Sequence, residues 1–404
     1  MKIGYILTTF PCRSEIFAAR EIESLRNSGF DITVLAAERG EESSVFSQGQ
    51  AVEVRPVFFS VRSLLAIGYF LVRYPLGMVR IIGLIGKLIL QNPEEAKRLA
   101  ANIHTVAFFA RVLDKKSIGH IHAYFLNWPG CIGMAVAIAT KRTFSIAAHA
   151  RDIFVEGGAI KLKASKASFI VTCTEYGLDY LKRRLPADCH DKLRLNYHGI
   201  NINHRSTSKE IKNDCQFEKY RLVAAGRLVP KKGFDCLIKA FALVCESMRD
   251  CELLIVGDGP ESGELKRFVE DNPNLRGHVK FSGWVDHEMT LQLICSSKIL
   301  VVPSIIAADG DRDGLPNVIL EAFACRAAVI ASRLPGISEA VIHLQTGLLV
   351  VPGDIAGLAL AIKQLLSNEK LREELSQKAY EMAAERFNST GNAEQLAGLF
   401  TKVN

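Results

Sequence analysis

Apolar residues along this chain fall into short, nearly continuous runs, and longer stretches with apolar positions every three or four residues separate them. The short runs at 2–8, 31–36, 119–123, 144–148, 168–173 and 193–196 read as buried β-strands, with helical spacing over 14–28 and 129–140. Strands alternating with helices imply a parallel sheet with right-handed crossovers. A polar stretch, 201–213, then interrupts the pattern and reads as a linker. Beyond it a second series opens, with strands at 221–225, 251–256, 277–281, 298–302 and 327–331 and helices at 233–248, 261–271, 286–295 and 316–325. The pattern predicts an α/β chain with domains at 1–200 and 214–385, two Rossmann-like halves facing across a cleft.

Two segments carry candidate chemistry. From Asp313 to Glu321 the sequence Asp-Gly-Leu-Pro-Asn-Val-Ile-Leu-Glu sets two carboxylates eight residues apart, across a loop that runs into a helix. Pro316 suits the first turn of that helix, so free N–H groups around Gly314, Leu315 and Asn317 point outward with the positive end of the dipole, where a phosphate fits. Glu321, further along, would reach a hydroxyl-bearing group such as a ribose. Acidic residues near helix starts are also common caps, so the pair alone decides little. The second segment changes that. Gly226-Arg-Leu-Val-Pro-Lys-Lys-Gly233 follows the strand 221–225 and holds Arg227 and Lys232 at a strand's carboxyl end, where open α/β sheets bind ligands.

With these segments the chain resembles glycosyltransferase family 4, the retaining, nucleotide-sugar-dependent enzymes of the GT-B fold, and in particular bacterial exopolysaccharide and lipopolysaccharide glycosyltransferases. The resemblance runs almost end to end. It implies that Asp313 and Glu321 stand at the family's E-x7-E positions, Arg227 and Lys232 at its pyrophosphate-binding cations, and His149, in Ala148-His-Ala-Arg-Asp152, at its first-domain histidine. Position 313 is Asp where the pattern has Glu, one methylene shorter. The resemblance further implies that Gly283 and Trp284 form a nucleobase-contacting turn, that Ser14 and Glu15 border the acceptor side, and that 386–404 packs back on the first domain. Taken without the resemblance, Ser14 reads as an N-cap of helix 14–28 and His149 as an ordinary histidine at a strand edge. Arg151, Asp152, His198 and Gly199 lie at comparable strand ends and carry less weight.

The implied reaction moves a sugar from a nucleotide-diphosphate donor to a lipid-linked or polysaccharide hydroxyl with retention, needing no metal or other cofactor. Asp309-Gly-Asp-Arg-Asp313-Gly314 imitates the opening of a calcium loop, but its twelfth position is Leu320 rather than Glu. Val256-Gly-Asp-Gly-Pro260 lacks dinucleotide-fingerprint spacing and reads as a tight turn. Competing readings are an epimerase or phosphorylase on the same fold, and an inactive membrane-associated scaffold.

Composition narrows the setting. The 404 residues suffice for two domains, and 49% hydrophobic with 23% charged residues describes a packed protein. Ten cysteines without a C-x-x-C pair read as reduced, core-filling thiols of a cytoplasmic protein. Residues 1–10 read as a first strand rather than a signal peptide. Between Val57 and Leu90, Arg62, Arg73, Arg80 and Lys87 interrupt an otherwise apolar stretch that Pro75 breaks. That segment fits an amphipathic helix on the inner face of the cytoplasmic membrane, or else a helical hairpin covering the sheet. A net charge of +7 favours acidic partners, and no nucleic-acid motif accompanies it.

Overall fold

The computed structural model describes residues 1–12, 15–40, 52–202 and 221–403. It comprises two compact units, Met1–Asn196 with Ala393–Asn404, and Tyr197–Asn392. The expected linker lies outside the described residues from 203 onward. Ile200, just before it, and Ile202, its second residue, are buried in the second unit's core.

The first unit is built on seven strands: β1 (Lys2–Phe10), β2 (Asp31–Arg39), β3 (Val52–Val54), β4 (His120–Tyr124), β5 (Thr143–Ala148), β6 (Phe169–Thr172) and β7 (Leu193–Leu195). Their order is β3-β2-β1-β4-β5-β6-β7, and each pairing is parallel. Successive side chains of a strand point to opposite faces. Ile6, Leu35, Ile121, Ala123, Ile146 and Ile170 therefore enter one core with the helices Ile103–Lys115 and Trp128–Thr140. Ile3, Tyr5, Leu7, Val34, Ala36 and Tyr124 enter another on the opposite face, with Ala18, Ile22 and Leu25 of the helix Ile16–Asn27. That helix begins two residues later than the spacing suggests. Its N-cap is Glu15, with no side-chain cap, and Ser14 lies outside the described residues.

The last helix, Ser389–Thr401, completes this second core. Phe400 is fully buried there, its ring 5.5 Å from His120, 5.2 Å from His122 and 5.5 Å from Phe169. The two histidines are kept neutral by burial, which lowers His120 to about 3, and both bond the Ser145 hydroxyl. An aromatic residue near the C-terminus thus covers a polar row that the sheet would otherwise expose.

The second unit carries six parallel strands: β8 (Arg221–Ala225), β9 (Glu252–Val256), β10 (Val279–Gly283), β11 (Ile299–Val302), β12 (Ala328–Ser332) and β13 (Leu348–Val350). Their order is β10-β9-β8-β11-β12-β13. Leu222, Ala224, Leu253, Ile255, Ile299 and Val301 face the helices Phe234–Cys245 and Ile355–Ser367, while Val223, Ala225, Leu254, Val256, Leu300 and Val302 face Asn317–Cys325 and Glu369–Arg386. In each sheet the strand order reverses direction once, between β1 and β4 and between β8 and β11. Crevices at the carboxyl ends of open sheets form at such switch points.

Cys295 and Cys325 form a disulfide, contrary to the expectation of unpaired thiols. The bond joins the ends of His287–Ser296 and Asn317–Cys325, helices that the fold brings side by side although the two cysteines stand 30 residues apart. Local motif spacing carries no sign of such a pairing.

Truncating Phe400 to Ala should destabilise the first unit by about 3–5 kcal/mol, the usual cost of emptying a core aromatic site. Urea unfolding checks this; a loss below about 1 kcal/mol would mean that the C-terminal helix is not part of the core.

Candidate functional site

At the switch point of the second sheet, β8 ends at Ala225 and the chain turns through Gly226, Arg227 and Leu228. The turn is fixed from the backbone: Gly226 N–H donates to Val256 O at 2.9 Å and Leu228 N–H to Asp258 O at 3.0 Å. A short 3-10 turn, Pro230–Lys232, then ends at Gly233 with φ 63°. A Cβ at Gly233 would lie 2.2 Å from Pro303 O, so only glycine lets this loop close on the end of β11. The contact is completed by Ile305 N–H donating to Lys231 O at 2.8 Å.

This closure brings Lys231 and Lys232 against the loop that leads to Asp313. Lys232 Nζ lies 2.8 Å from Asp313 Oδ2; Lys231 Nζ lies 3.1 Å from Asp311 Oδ1 and 3.8 Å from Asp313 Oδ1. Ser304 Oγ donates to Asp313 Oδ2, the oxygen that Lys232 meets, at 2.6 Å. Burial alone would raise the Asp313 carboxyl, but the charges of Lys232 and Lys231 and the bonds from Lys232 and Ser304 hold it below the usual carboxylate range. Asp313 is therefore an ionised, buried anchor for lysines. Arg227, on the same loop, is exposed.

The helix after Asp313 runs Asn317–Cys325, with Pro316 as its N-cap at φ −64°, ψ 132° rather than in its first turn. The ring's fixed φ suits either position, and the extended ψ sets the helix start one residue later. Gly336 packs against the loop so closely that a Cβ there would stand 2.7 Å from Gly314 O. Asn317 bonds the side chain of His198, a half-buried imidazole that desolvation lowers to about 4. Glu321 lies in the second turn, buried, with Oε1 3.6 Å from His287 Nδ1. His287 opens the helix His287–Ser296, whose N-cap Asp286 follows Gly283, Trp284 and Val285, and Gly283 takes φ 68° in that turn. The sequence offered no sign of His287, since it belongs to no motif and meets Glu321 only through the fold. Nor did it single out Lys231.

The calcium-like segment is tied up internally. Asp309 Oδ1 accepts from Asp311 N–H at 2.9 Å, and Asp311 and Asp313 face lysines. Among the described residues no cluster of His, Cys, Asp and Glu could hold a metal ion.

The first unit has its own assembly at strand ends. His149 follows β5 and caps the short helix Ala150–Phe154, while Asp152 accepts from His149 N–H at 2.6 Å and from Leu126 N–H. Asp152 is thus a structural cap, and burial lifts its carboxyl to about 7. The His149 ring sits among Phe17, Tyr124 and Phe125, with centroids 5.4, 5.0 and 4.7 Å away. Phe125 holds φ 111°, a strained conformation for a bulky residue. Beneath this cluster the Tyr5 and Tyr124 hydroxyls donate to Glu21 at 3.1 and 3.3 Å. Desolvation raises both Glu21 and the neighbouring expected site residue Glu15 to about 7. Glu21 escaped the sequence reading because nothing marks one helix glutamate from another. Arg151 pairs with Glu156 at 2.7 Å.

Residues 207–382 match the family model for Glycosyl transferases group 1. The chain is 26% identical over 244 residues to the alpha-D-kanosaminyltransferase of Streptomyces kanamyceticus, covering 59% of this chain and 61% of that protein. It is 31% identical over 185 residues to the lipopolysaccharide core biosynthesis glycosyltransferase LpsD of Rhizobium meliloti, covering 46% of this chain and 50% of that protein. The chain thus spans about half to three-fifths of the length of these relatives. A crystal structure of Anabaena Alr3699/HepE in complex with UDP has the same fold, with a TM-score of 0.73 and 18% identity over 100% of both chains.

The carboxyls raised by burial carry a pH dependence. Such a group favours the fold below its unfolded pKa near 4.5, and that contribution is lost as pH rises through about 7. Glu21→Gln should accordingly gain stability relative to the wild type between pH 5 and pH 8, by about 2 kcal/mol once solvent screening of this half-buried group is allowed for. Urea unfolding of both proteins at the two pH values measures it; a constant difference would show that Glu21 ionises normally in the fold.

Proposed function

We propose, from the premise that residues 207–382 are a Glycosyl transferases group 1 domain, that this protein transfers a sugar from a nucleoside diphosphate sugar to a hydroxyl of a lipid-linked or polysaccharide acceptor in cell-surface glycan assembly. The observation that carries the reading is the pairing of Lys231 and Lys232, on the loop that also bears Arg227, with Asp313, four residues before the helix Asn317–Cys325, at the switch point of one sheet. Three cations and a helix N-terminus suit a diphosphate, whose negative charge grows as the bond to the sugar breaks. The UDP of the Anabaena structure supports trying uridine nucleotides first.

In this mechanism Arg227 and Lys232 stabilise the leaving diphosphate, and the N–H groups at the helix start complete its cradle. Glu321, steadied by His287, takes the ribose hydroxyls beside the Gly283–Trp284 turn. Asp313 holds Lys232 in place and orients the donor sugar only as far as its one-methylene side chain allows. A carboxylate already engaged by two lysines and a serine is a weak nucleophile, which favours retention without a covalent glycosyl-enzyme. The acceptor hydroxyl then attacks the anomeric carbon on the face that the diphosphate leaves, and its proton passes to the departing phosphate oxygen. The products are the glycoside and the nucleoside diphosphate. No residue in this scheme calls for a metal. His149 and Glu15, in the first unit, are the candidates for orienting the reacting sugars.

Thermal unfolding with UDP, GDP and ADP tests the reading. At about a hundredfold excess over Kd, binding adds about 2.7 kcal/mol, enough to raise Tm by several degrees. One nucleotide should produce this shift, and Arg227→Ala and Glu321→Ala should lose it. With the matching nucleotide sugar, Arg227→Ala should lower kcat by about 10²-fold. No shift with any nucleoside diphosphate would overturn the proposal; a shift without turnover on any glycan or lipid acceptor would favour a binding scaffold.

A further inference from the structure

The segment between Glu53 and Glu94 forms two helices, Val61–Arg73 and Pro75–Gln91, bent by 103° at Tyr74. Pro75 occupies the first position of the second helix, which accounts for the break. The corner is held firmly: Asp114 accepts from the Tyr69 hydroxyl at 2.7 Å, the Tyr74 hydroxyl at 2.6 Å and Arg142 at 2.6 Å. The inner faces, Ser63, Ala66 and Phe70 on one helix and Ile81, Leu84 and Leu88 on the other, are buried in the first unit. Gly77 comes so close to the helix Trp128–Thr140 that a Cβ would lie 2.8 Å from Ala139 O.

A helix docked this way ordinarily turns a polar face outward. Here the outer faces are apolar as well. Phe59, Val72 and Leu90 are 83%, 86% and 87% exposed, and Leu65, Leu76 and Val79 join them. The charges that the segment itself carries on these helices are all of one sign: Arg62, Arg73, Arg80 and Lys87, with no Asp or Glu between Glu53 and Glu94.

We infer that this helix pair is a docking surface for an anionic lipid bilayer, lying in the interface with its outer apolar residues among the acyl chains and its cations at the headgroups. Spanning is ruled out by the inner faces, which are already packed against protein, and no single helix is long and apolar enough to cross. A second copy of the chain fits poorly, because face-to-face pairing would oppose like charges. A nucleic acid would match the cations and leave the apolar residues uncovered. The inference concerns a surface of the first unit and stands whether or not the transfer reading holds.

The test is flotation of the full chain with vesicles of phosphatidylcholine alone and with about 30 mol % phosphatidylglycerol added. At low salt the anionic vesicles should bind at least about tenfold more protein, and raising salt to about 0.5 M should remove most of that difference. Val72→Glu with Leu90→Glu should abolish binding to both vesicle types, whereas Arg73→Glu with Lys87→Glu should reduce anionic binding to the neutral level. These sites are exposed, so Tm should not move; if it does, Phe59→Asp, outside both helices, gives the same readout. Equal recovery with neutral and anionic vesicles, no recovery with either, or anionic binding indifferent to these substitutions would overturn the inference. So would a self-associated form that the same substitutions dissolve.

Discussion

The second unit depends on a buried negative charge. Asp313 lies at the end of the loop after β11, almost out of water, and a lone carboxylate there would protonate or unfold its surroundings. It stays ionised because the loop after β8 delivers Lys231 and Lys232. One ion cluster therefore ties together the two strand ends that flank the switch point. The backbone makes this possible, since Gly233 is the residue that lets the β8 loop approach Pro303. Cations fixed in this way need little reorganisation to meet an anionic ligand, which is the condition under which electrostatic stabilisation is largest. Asp being shorter than Glu matters less for this purpose than for reaching a sugar.

The same topological device appears in the first unit with opposite electrostatics. There the segments after the strands bear Glu15, Glu21 and Asp152, and desolvation lifts all three to about 7, with Lys163 offsetting only part of it at Asp152. Tyr5 and Tyr124 bond Glu21, and His149 sits among Phe17, Tyr124 and Phe125. One unit thus assembles ions at its sheet's carboxyl edge and the other desolvated carboxyls, two of them hydrogen-bonded. The difference follows from which residues the loops carry, not from the fold.

Much of this was legible in the sequence because a parallel sheet buries both faces of its strands, so continuous apolar runs mark them. The central strands fell within a few residues of their expected bounds. β3 and β13, edge strands of three residues, did not register, although β7, equally short and also at an edge, did. The Arg227–Lys232 and Asp313–Glu321 segments were visible as spaced charges beside glycines. What was not visible was who pairs with whom: the sequence could not tell that Asp313 faces lysines rather than solvent, that His287 meets Glu321, or that Cys295 reaches Cys325. Those contacts span loops and crossovers, and short-range periodicity is blind to them.

The helix pair at 61–91 illustrates the limit in another way. Regular charge spacing there suggested a polar stripe opposite an apolar one, the ordinary amphipathic compromise. The fold instead buries one apolar face and presents another, with the cations along its margins. Exposed apolar area of this extent is costly in water and is usually retained only where something covers it. Part of the net charge of +7, diffuse when counted over the whole chain, falls on the same helix pair: Arg62, Arg73, Arg80 and Lys87 lie between Glu53 and Glu94 without one carboxylate. Apolar exposure and one-signed charge are separately unremarkable, and each alone fits several partners. Their coincidence on a rigidly held corner restricts the partner to one that is both greasy and anionic.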